Sequence, residues 1–189
     1  MAESMGTPPG GLNFTDNISI AWKPVDCQPD HAHLAMINES NESFLRAVSA
    51  IGEFFTENAE DDAGISQEIV RLDLKVSLLL DLVSQLIYKQ LEIPEMSLVT
   101  ISSNEIEWQC AIVPEPEQLV FVEVYVQRGT PKPLCFYGQV VSDEQEYNSG
   151  CARVRYFGLS GLAQSWLDKL IFRHHRRAVA YKKSMNSKD

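Results

Sequence analysis

The stretch that decides the fold is ISQEIVRLDLKVSLLLDLVSQLIYKQ, residues 65–90 of the 189-residue chain. Apolar residues recur in it at alternating gaps of four and three, which is the heptad pattern of helices that pack against one another. This seam consists of Ile65, Ile69, Leu72, Val76, Leu79, Val83 and Leu86. Further leucines and valines widen the apolar surface beyond what one partner helix covers. The pattern therefore predicts a long helix that is buried on several sides.

The pattern leaves open what covers this helix. β-branched residues at one seam position and leucine at the other are typical of parallel two-stranded coiled coils. Packing against another helix of the same chain would bury the same side chains. Burial within one chain and assembly of several chains are equally supported by the pattern alone.

A first helix is predicted ahead of the seam, over residues 38–58. Phe44, Val48, Ile51 and Phe55 form its apolar stripe. An acidic linker over residues 57–64 separates this helix from the seam. Together the two helices predict a helical hairpin over residues 38–90.

Short β-like runs follow Pro94 and predict an antiparallel meander or a small β-barrel over residues 97–157. The runs are 98–102, 106–113, 119–127, 134–141 and 151–157. Residues 143–150 are predicted to be a polar connection between the last two strands.

The two ends of the chain complete the predicted organisation. A C-terminal basic helix is predicted over residues 160–184, beginning at Ser160 or Gly161. Residues 17–22 alternate as a short edge strand, and the Pro/Gly-rich residues 1–16 are predicted to be disordered. The expected fold is α+β, with a single domain over residues 17–189.

Composition and charge exclude several classes of protein. The chain carries 16 basic and 26 acidic residues, a formal net charge of -10, which argues against general nucleic-acid binding. No apolar run is long enough to span a bilayer, and the first residues lack the pattern of a signal peptide. We therefore expect a cytoplasmic protein that does not insert into membranes.

The residues do not form the usual catalytic or metal-binding patterns. The sequence has no GxSxG elbow, HExxH pair, P-loop or Rossmann glycine pattern. Cys27, His31 and His33 have the spacing of metal ligands, but no fourth ligand is evident nearby. We expect a protein that is not an enzyme and that holds no metal or cofactor.

Three segments in order resemble a known family. They are IVRLDLKVSLLLDLVSQL, the run VTISSNEIEW that ends at Trp108, and LIFRHHRR that ends at Arg177. They are similar to the atypical, tetramer-forming branch of the PilZ domain family. The resemblance implies a PilZ-like β-barrel of a cyclic di-GMP receptor family, in which inserted heptad helices assemble four subunits. It implies a homotetramer held by the seam.

The resemblance also locates a degenerate ligand motif. Typical PilZ receptors bind cyclic di-GMP through RxxxR ahead of the barrel and [D/N]xSxxG on early strands. Here Ser102 is retained, Thr100 replaces the Asp/Asn, and Glu105 replaces the glycine. A carboxylate at that place repels a phosphate, and no RxxxR precedes the barrel. We expect that the nucleotide is not bound.

The basic residues Arg173, Arg176 and Arg177 form a possible anion or partner site. Arg173 and Arg177 are spaced i, i+4, so that two guanidiniums on one helical face could hold a phosphodiester. The other interpretation is a solvated helix end whose charge complements the helix dipole.

The resemblance implies a non-enzymatic scaffold or adaptor in bacterial cyclic di-GMP-linked motility, adhesion or virulence, acting with a protein partner. The alternative is a genuine cyclic di-GMP receptor with a non-standard arginine site, using Arg173 and Arg177 or Arg153 and Arg155.

Overall fold

The computed structural model describes residues 12–57, 71–72, 74–76, 78–79, 82–83, 86–87, 93–127 and 130–186, with the backbone alone for 51–57 and 181–186. Six strands form a closed antiparallel barrel in the order β1-β2-β3-β6-β5-β4. The strands are β1 (Asn13–Pro24), β2 (Met96–Ser102), β3 (Glu105–Gln109), β4 (Leu119–Val124), β5 (Leu134–Val140) and β6 (Cys151–Phe157). The helices whose two ends are described are α1 (His31–Glu57), α2 (Glu144–Asn148) and α3 (Gly161–Asn186). The α+β barrel fold predicted from the sequence is confirmed.

Strand β1 closes the barrel and corrects the prediction of a short edge strand over 17–22. Its residues Asn13–Ser19 pair with β2, and its residues Ile20–Pro24 pair with β4. The strand begins within the segment predicted to be disordered, because Phe14 is buried in the core and anchors it. A barrel confined to residues 97–157 was therefore wrong, since the sixth strand comes from the N-terminal side of α1.

The barrel interior is filled by alternate side chains of the strands. In β4, Val120, Val122 and Val124 are fully buried while their neighbours are partly exposed, which is the period of two expected of a strand with one buried face. Trp108 of β3 is the largest fully buried side chain. Burying one such side chain contributes about 1.5–3 kcal/mol, so the barrel core supplies the main stabilisation of the fold.

Helix α1 begins at His31, seven residues before the predicted start. The Asp30 carboxylate accepts a hydrogen bond from the His33 backbone N–H at 2.7 Å and so caps the first turn. Phe44, Leu45 and Val48 are buried where α1 packs against β5 and α3. The longer helix reflects this cap, which lies in a segment that the sequence analysis treated as loop.

Helix α3 begins as predicted and covers one side of the barrel. The Ser160 hydroxyl accepts a hydrogen bond from the Ala163 N–H at 2.9 Å. Leu167, Leu170 and Ile171 are buried, and α3 packs on α1, β1 and β2. Ser160, just before α3, contacts Glu42 of α1, and Arg173, farther along α3, contacts Val48, which is farther along α1. Helices α1 and α3 therefore run parallel.

Two local predictions in the barrel were wrong. Strand β3 ends at Gln109 instead of continuing to Val113. The connection over 143–150 contains the short helix α2, whose capping box joins Asp143 and Glu146 reciprocally. The polar composition of this connection concealed a helix that its capping residues could have indicated.

The predicted hairpin over 38–90 is only partly described. The described residues between 71 and 87 are helical, and we call them the leucine-rich segment. Ile65 and Ile69 of the predicted seam lie outside the described residues. None of the helices in the described ranges is long and apolar enough to cross a membrane.

Close packing between β5 and β6 predicts that Gly138→Ala destabilises the fold. A Cβ at this position would lie 2.2 Å from Val154 Cγ1 and 2.8 Å from the Arg155 carbonyl oxygen. We expect urea unfolding to show a loss of about 1–3 kcal/mol. Gly161→Ala is the matched control, because nothing lies within 4 Å of its Cβ. Equal stability of the two variants would contradict this account.

Candidate functional site

The leucine-rich segment exposes most of its apolar side chains. The described seam residues Leu72, Val76, Leu79, Val83 and Leu86 are between 46% (Val76) and 65% (Leu72) exposed. Leu74, Leu78 and Leu82, which widen the apolar surface beyond the seam, are exposed as well. Contiguous exposed apolar surfaces are typical of interaction sites. Its position agrees with the seam that the heptad pattern singled out.

The degenerate ligand motif lies on the β2–β3 hairpin, and its side chains bond to the barrel itself. The Ser102 hydroxyl donates to the Glu105 carbonyl at 2.8 Å and accepts from the Glu105 N–H at 3.1 Å. The Thr100 and Thr15 hydroxyls lie 2.9 Å apart across β1 and β2. Ser102 thus serves the tight turn, and Thr100 serves strand pairing.

Glu105 forms an ion pair with Arg155 on the outer wall of the barrel. Oxygen Oε1 of Glu105 accepts from Nε of Arg155 at 3.0 Å and from Nη2 at 2.8 Å. The two residues face each other directly in the β3–β6 pairing. Nε and Nη2 of Arg155 are therefore both directed at a carboxylate of the chain.

A second arginine on the same wall is also neutralised. Nη2 of Arg153 lies 3.5 Å from Oε2 of Glu107 and contacts Oε1 of Glu146 in α2. Three carboxylates thus face two guanidiniums on this part of the wall. The Tyr156 hydroxyl donates to the carbonyl oxygens of Ser102 and Glu105, each at 3.2 Å. Burial raises the pKa of Tyr156.

A groove of about 610 Å³ lies between the start of α1 and the turn that follows β6. Its polar side chain Asn38 donates to the Gly158 carbonyl and accepts from the Ser160 N–H. Glu39 and Glu42 also line it. Two carboxylates make the groove unfavourable for a phosphate ligand.

The basic residues predicted as an anion or partner site divide into two groups. Arg173 is partly buried and donates to the carbonyls of Val48 and Ser49 in α1. Arg176 and Arg177 are exposed. Arg173 therefore fastens α3 to α1, and only the other two arginines face solvent.

His174 packs against the barrel beside this cluster. Its ring stacks on Phe14 with centroids 4.4 Å apart and planes at 17°. Burial lowers the pKa of His174 below its ordinary value of 6.5, as do the charges of Arg173 and Arg177, whereas Asp16 opposes the shift. The imidazole is held in its neutral form within a basic surrounding.

Two buried asparagines of α1 were not predicted from the sequence. The Asn41 side chain donates to the Cys135 carbonyl and accepts from the Cys135 N–H at 3.1 Å. Asn38 binds the backbone at Gly158 and Ser160 in the same way. These amides satisfy backbone groups that would otherwise be buried without a partner. Their i, i+3 spacing beside the apolar stripe was the available signal.

The cysteines are free thiols, of which Cys27 is exposed and Cys151 is buried. Burial, followed by the charge of Glu123, raises the pKa of Cys135 to about 11. Burial and the neighbouring Glu107 raise the pKa of Cys151 to about 12. Within the described ranges, no three His, Cys, Asp or Glu side chains come together as a metal site.

Comparisons with known proteins give a family and a structural neighbour. A family model described as an atypical PilZ domain, cyclic di-GMP receptor, matches residues 45–184. A similar solved structure is a pathogenic protein from Xanthomonas campestris, described as a new tetrameric PilZ domain self-assembled via an unusual helical bundle. The likeness has 20% identity and a TM-score of 0.68, and it covers 91% of this chain and 92% of that one. No curated protein sequence matches the chain.

The neutral His174 predicts a pH dependence of stability. Its pKa is lower in the folded chain, so the unfolded chain binds more protons as the pH falls below 6.5. Its contribution to the free energy of unfolding is complete above that pH and is lost as the pH falls through the folded pKa. The slope contributed by one such group is at most about 1.4 kcal/mol per pH unit.

The measurement is urea unfolding between about pH 6.5 and 5.5, where histidine titration dominates. His174→Gln is expected to flatten the dependence, whereas His175→Gln, at an exposed neighbouring position, is expected to retain it. An unchanged slope in the first variant would rule out His174 as the source.

Proposed function

This chain belongs to the atypical PilZ domain family, and we propose that it is a non-enzymatic scaffold that assembles into a homotetramer and does not itself bind cyclic di-GMP. The observation that carries the proposal is the ion pair of Glu105 with Arg155. It places a negative charge inside the motif where the family resemblance puts the ligand. The exposed leucine-rich segment supports the assembly.

Assembly follows from the apolar surface of the leucine-rich segment. Each aliphatic side chain that passes from water into an interface contributes about 1.5–3 kcal/mol before the costs of association. The five described seam residues are all well exposed in the single chain. The helical-bundle tetramer of the Xanthomonas campestris protein supports four chains as the number that covers them.

The electrostatics of the barrel wall argue against binding of the nucleotide. Cyclic di-GMP carries two phosphates, and a unit charge 4 Å from another of the same sign costs about 1–4 kcal/mol near a protein surface. Three carboxylates face two guanidiniums on this wall, which gives it a net negative charge, and Arg155 already donates to Glu105. Both guanidiniums are ion-paired, so a phosphate would have to compete with a carboxylate for either one.

A scaffold without its own nucleotide acts through other proteins. We propose an adaptor role in bacterial cyclic di-GMP-linked motility, adhesion or virulence, with the protein in the cytoplasm. The family supports the link to the nucleotide, and the tetramer would present four copies of any docking surface. Multivalency of this kind strengthens binding without new contacts.

A second candidate function is that of a true receptor with an arginine site. The family description as a cyclic di-GMP receptor and the exposed Arg177 favour it. In this alternative the exposed Arg177 of α3 holds a phosphate. Arg173 would have to leave its carbonyl partners in α1 to join it.

The assembly is tested by Leu79→Glu within the seam. A charge in an apolar interface costs far more than one seam contact provides, so we expect single chains in place of four 21.3-kDa chains. Gln28→Glu, which adds the same charge at an exposed loop position, is expected to keep the tetramer. The measurement is light scattering at low concentration, and a Leu79→Glu variant of unchanged mass would refute the seam.

Nucleotide binding is tested by calorimetric titration of cyclic di-GMP into the assembled protein. We expect no saturable heat, because the wall carries a net negative charge and Arg155 is already paired with Glu105. Heat that Arg177→Ala abolishes would establish the receptor alternative. Heat that survives in that variant and is lost in Arg155→Ala would place the ligand at the motif and overturn the proposal.

A further inference from the structure

Three cations of the α1–α3 surface lie over aromatic rings. Nζ of Lys169 is 4.0 Å from the centroid of the Trp166 ring, and Cζ of Arg46 is 5.9 Å from the same centroid. Cζ of Arg176 is 5.8 Å from the centroid of the Phe172 ring. We call Arg46, Trp166, Lys169, Phe172 and Arg176 the cation–aromatic patch. Its residues belong to neither the leucine-rich segment nor the Glu105 motif.

The cations of this patch have no carboxylate partner among the described residues, although the chain has an excess of acidic side chains. Arg46, Lys169 and Arg176 are all exposed. The single acidic residue of α3 is Asp168, whose carboxylate lies 3.5 Å from the side-chain amide of Gln164. The patch is therefore a positive surface on a chain with a formal net charge of -10.

Apolar side chains accompany these charges along the outer face of α3. Leu162, Phe172 and Val179 are 48%, 50% and 39% exposed. Together with Lys169 and Arg176 they follow gaps of seven, three, four and three, which is a heptad ridge. Over this length α3 extends about 25 Å, enough for another helix to lie alongside. The ridge offers three apolar anchors, and Arg176 lies over the ring of one of them, Phe172.

We propose that the cation–aromatic patch docks an acidic amphipathic helix of a partner protein. The positive charge of the patch favours a negatively charged partner, and the heptad spacing of the ridge favours a helical one. The rings already hold the cations in place, so binding a carboxylate costs little additional side-chain entropy. A bilayer fits less well, because three apolar side chains on a narrow ridge bury little surface in lipid. The inference rests on the adaptor role proposed above, since it identifies the chemistry of the partner.

The test uses the full chain and a labelled synthetic peptide of about three heptads, with leucine at the seam and glutamate at the flanks. A second peptide carries lysine in place of glutamate. Fluorescence anisotropy is expected to give a Kd of about micromolar order for the acidic peptide and at least about tenfold weaker binding for the basic one. Equal binding of the two peptides would overturn the proposal.

Charge reversal locates the site. Lys169→Glu with Arg176→Glu is expected to weaken the acidic peptide at least about tenfold, and Phe172→Ala about threefold or more. The matched control reverses Lys23 and Lys132, two exposed lysines that lie over Phe121 and Phe44 elsewhere on the chain, and is expected to stay within about twofold. Equal affinities of the two double variants would overturn the site.

Three further measurements test whether an acidic helix, rather than lipid or a second copy of the chain, occupies the cation–aromatic patch. Vesicles of phosphatidylserine and phosphatidylcholine that bind the wild type and not the patch variant, without peptide binding, would assign the face to lipid and overturn the proposal. A lower mass of the patch variant in light scattering would assign the face to a second copy, with the same consequence. For the wild type itself, raising NaCl from about 50 to about 500 mM is expected to weaken the acidic peptide at least about tenfold, and salt-independent binding would overturn the proposal.

These results are independent of the proposed assembly and nucleotide behaviour. A monomeric chain that still binds the acidic peptide would refute the tetramer and leave the docking site standing. A tetramer that gives no heat with cyclic di-GMP and does not bind the peptide would refute the docking site and leave the proposed assembly and nucleotide behaviour standing.

Discussion

The pairing of β1 with two strands at once is the constraint on which the rest of the structure depends. Its backbone bonds β2 over the first half and β4 over the second, so the described sheet has no free edge. Closure fixes which side chains point outward and sets them in rows across strands. The facing positions of Glu105 and Arg155 follow from that register. Helix α3 also packs on β1, so the same strand positions the C-terminal helix.

The closed barrel and the helices have different roles. Polar groups of the β2–β3 hairpin and the neighbouring wall bond to one another, which leaves little capacity for an anionic ligand. The helices instead carry apolar and basic side chains that the single chain leaves exposed. The barrel is thus a rigid support, and the surfaces suited to other macromolecules are helical. Buried amides such as Asn41 hold the two parts in a fixed relation.

Most of the strands and both long helices could be predicted because their apolar periodicity is a local property. The extension of β1 to Asn13 could not, since its ends depend on partners distant in sequence. The roles of Asn38 and Asn41 could not be predicted either, because only the packed barrel supplies their backbone partners. Replacement of the motif glycine by Glu105 was visible in the sequence. Its neutralisation by Arg155 was not, because register across β3 and β6 is set by the whole barrel.

The distribution of the four cysteines has a practical consequence for chemical labelling. Only the thiolate reacts readily with electrophiles, and burial keeps Cys135 and Cys151 protonated far above neutral pH. The pKa of Cys110 is raised by burial as well, whereas Cys27 lies exposed in the loop between β1 and α1. The native chain therefore carries one accessible attachment point for a fluorophore or spin label, and pairs of such labels would report distances between subunits of the proposed assembly without any engineered cysteine.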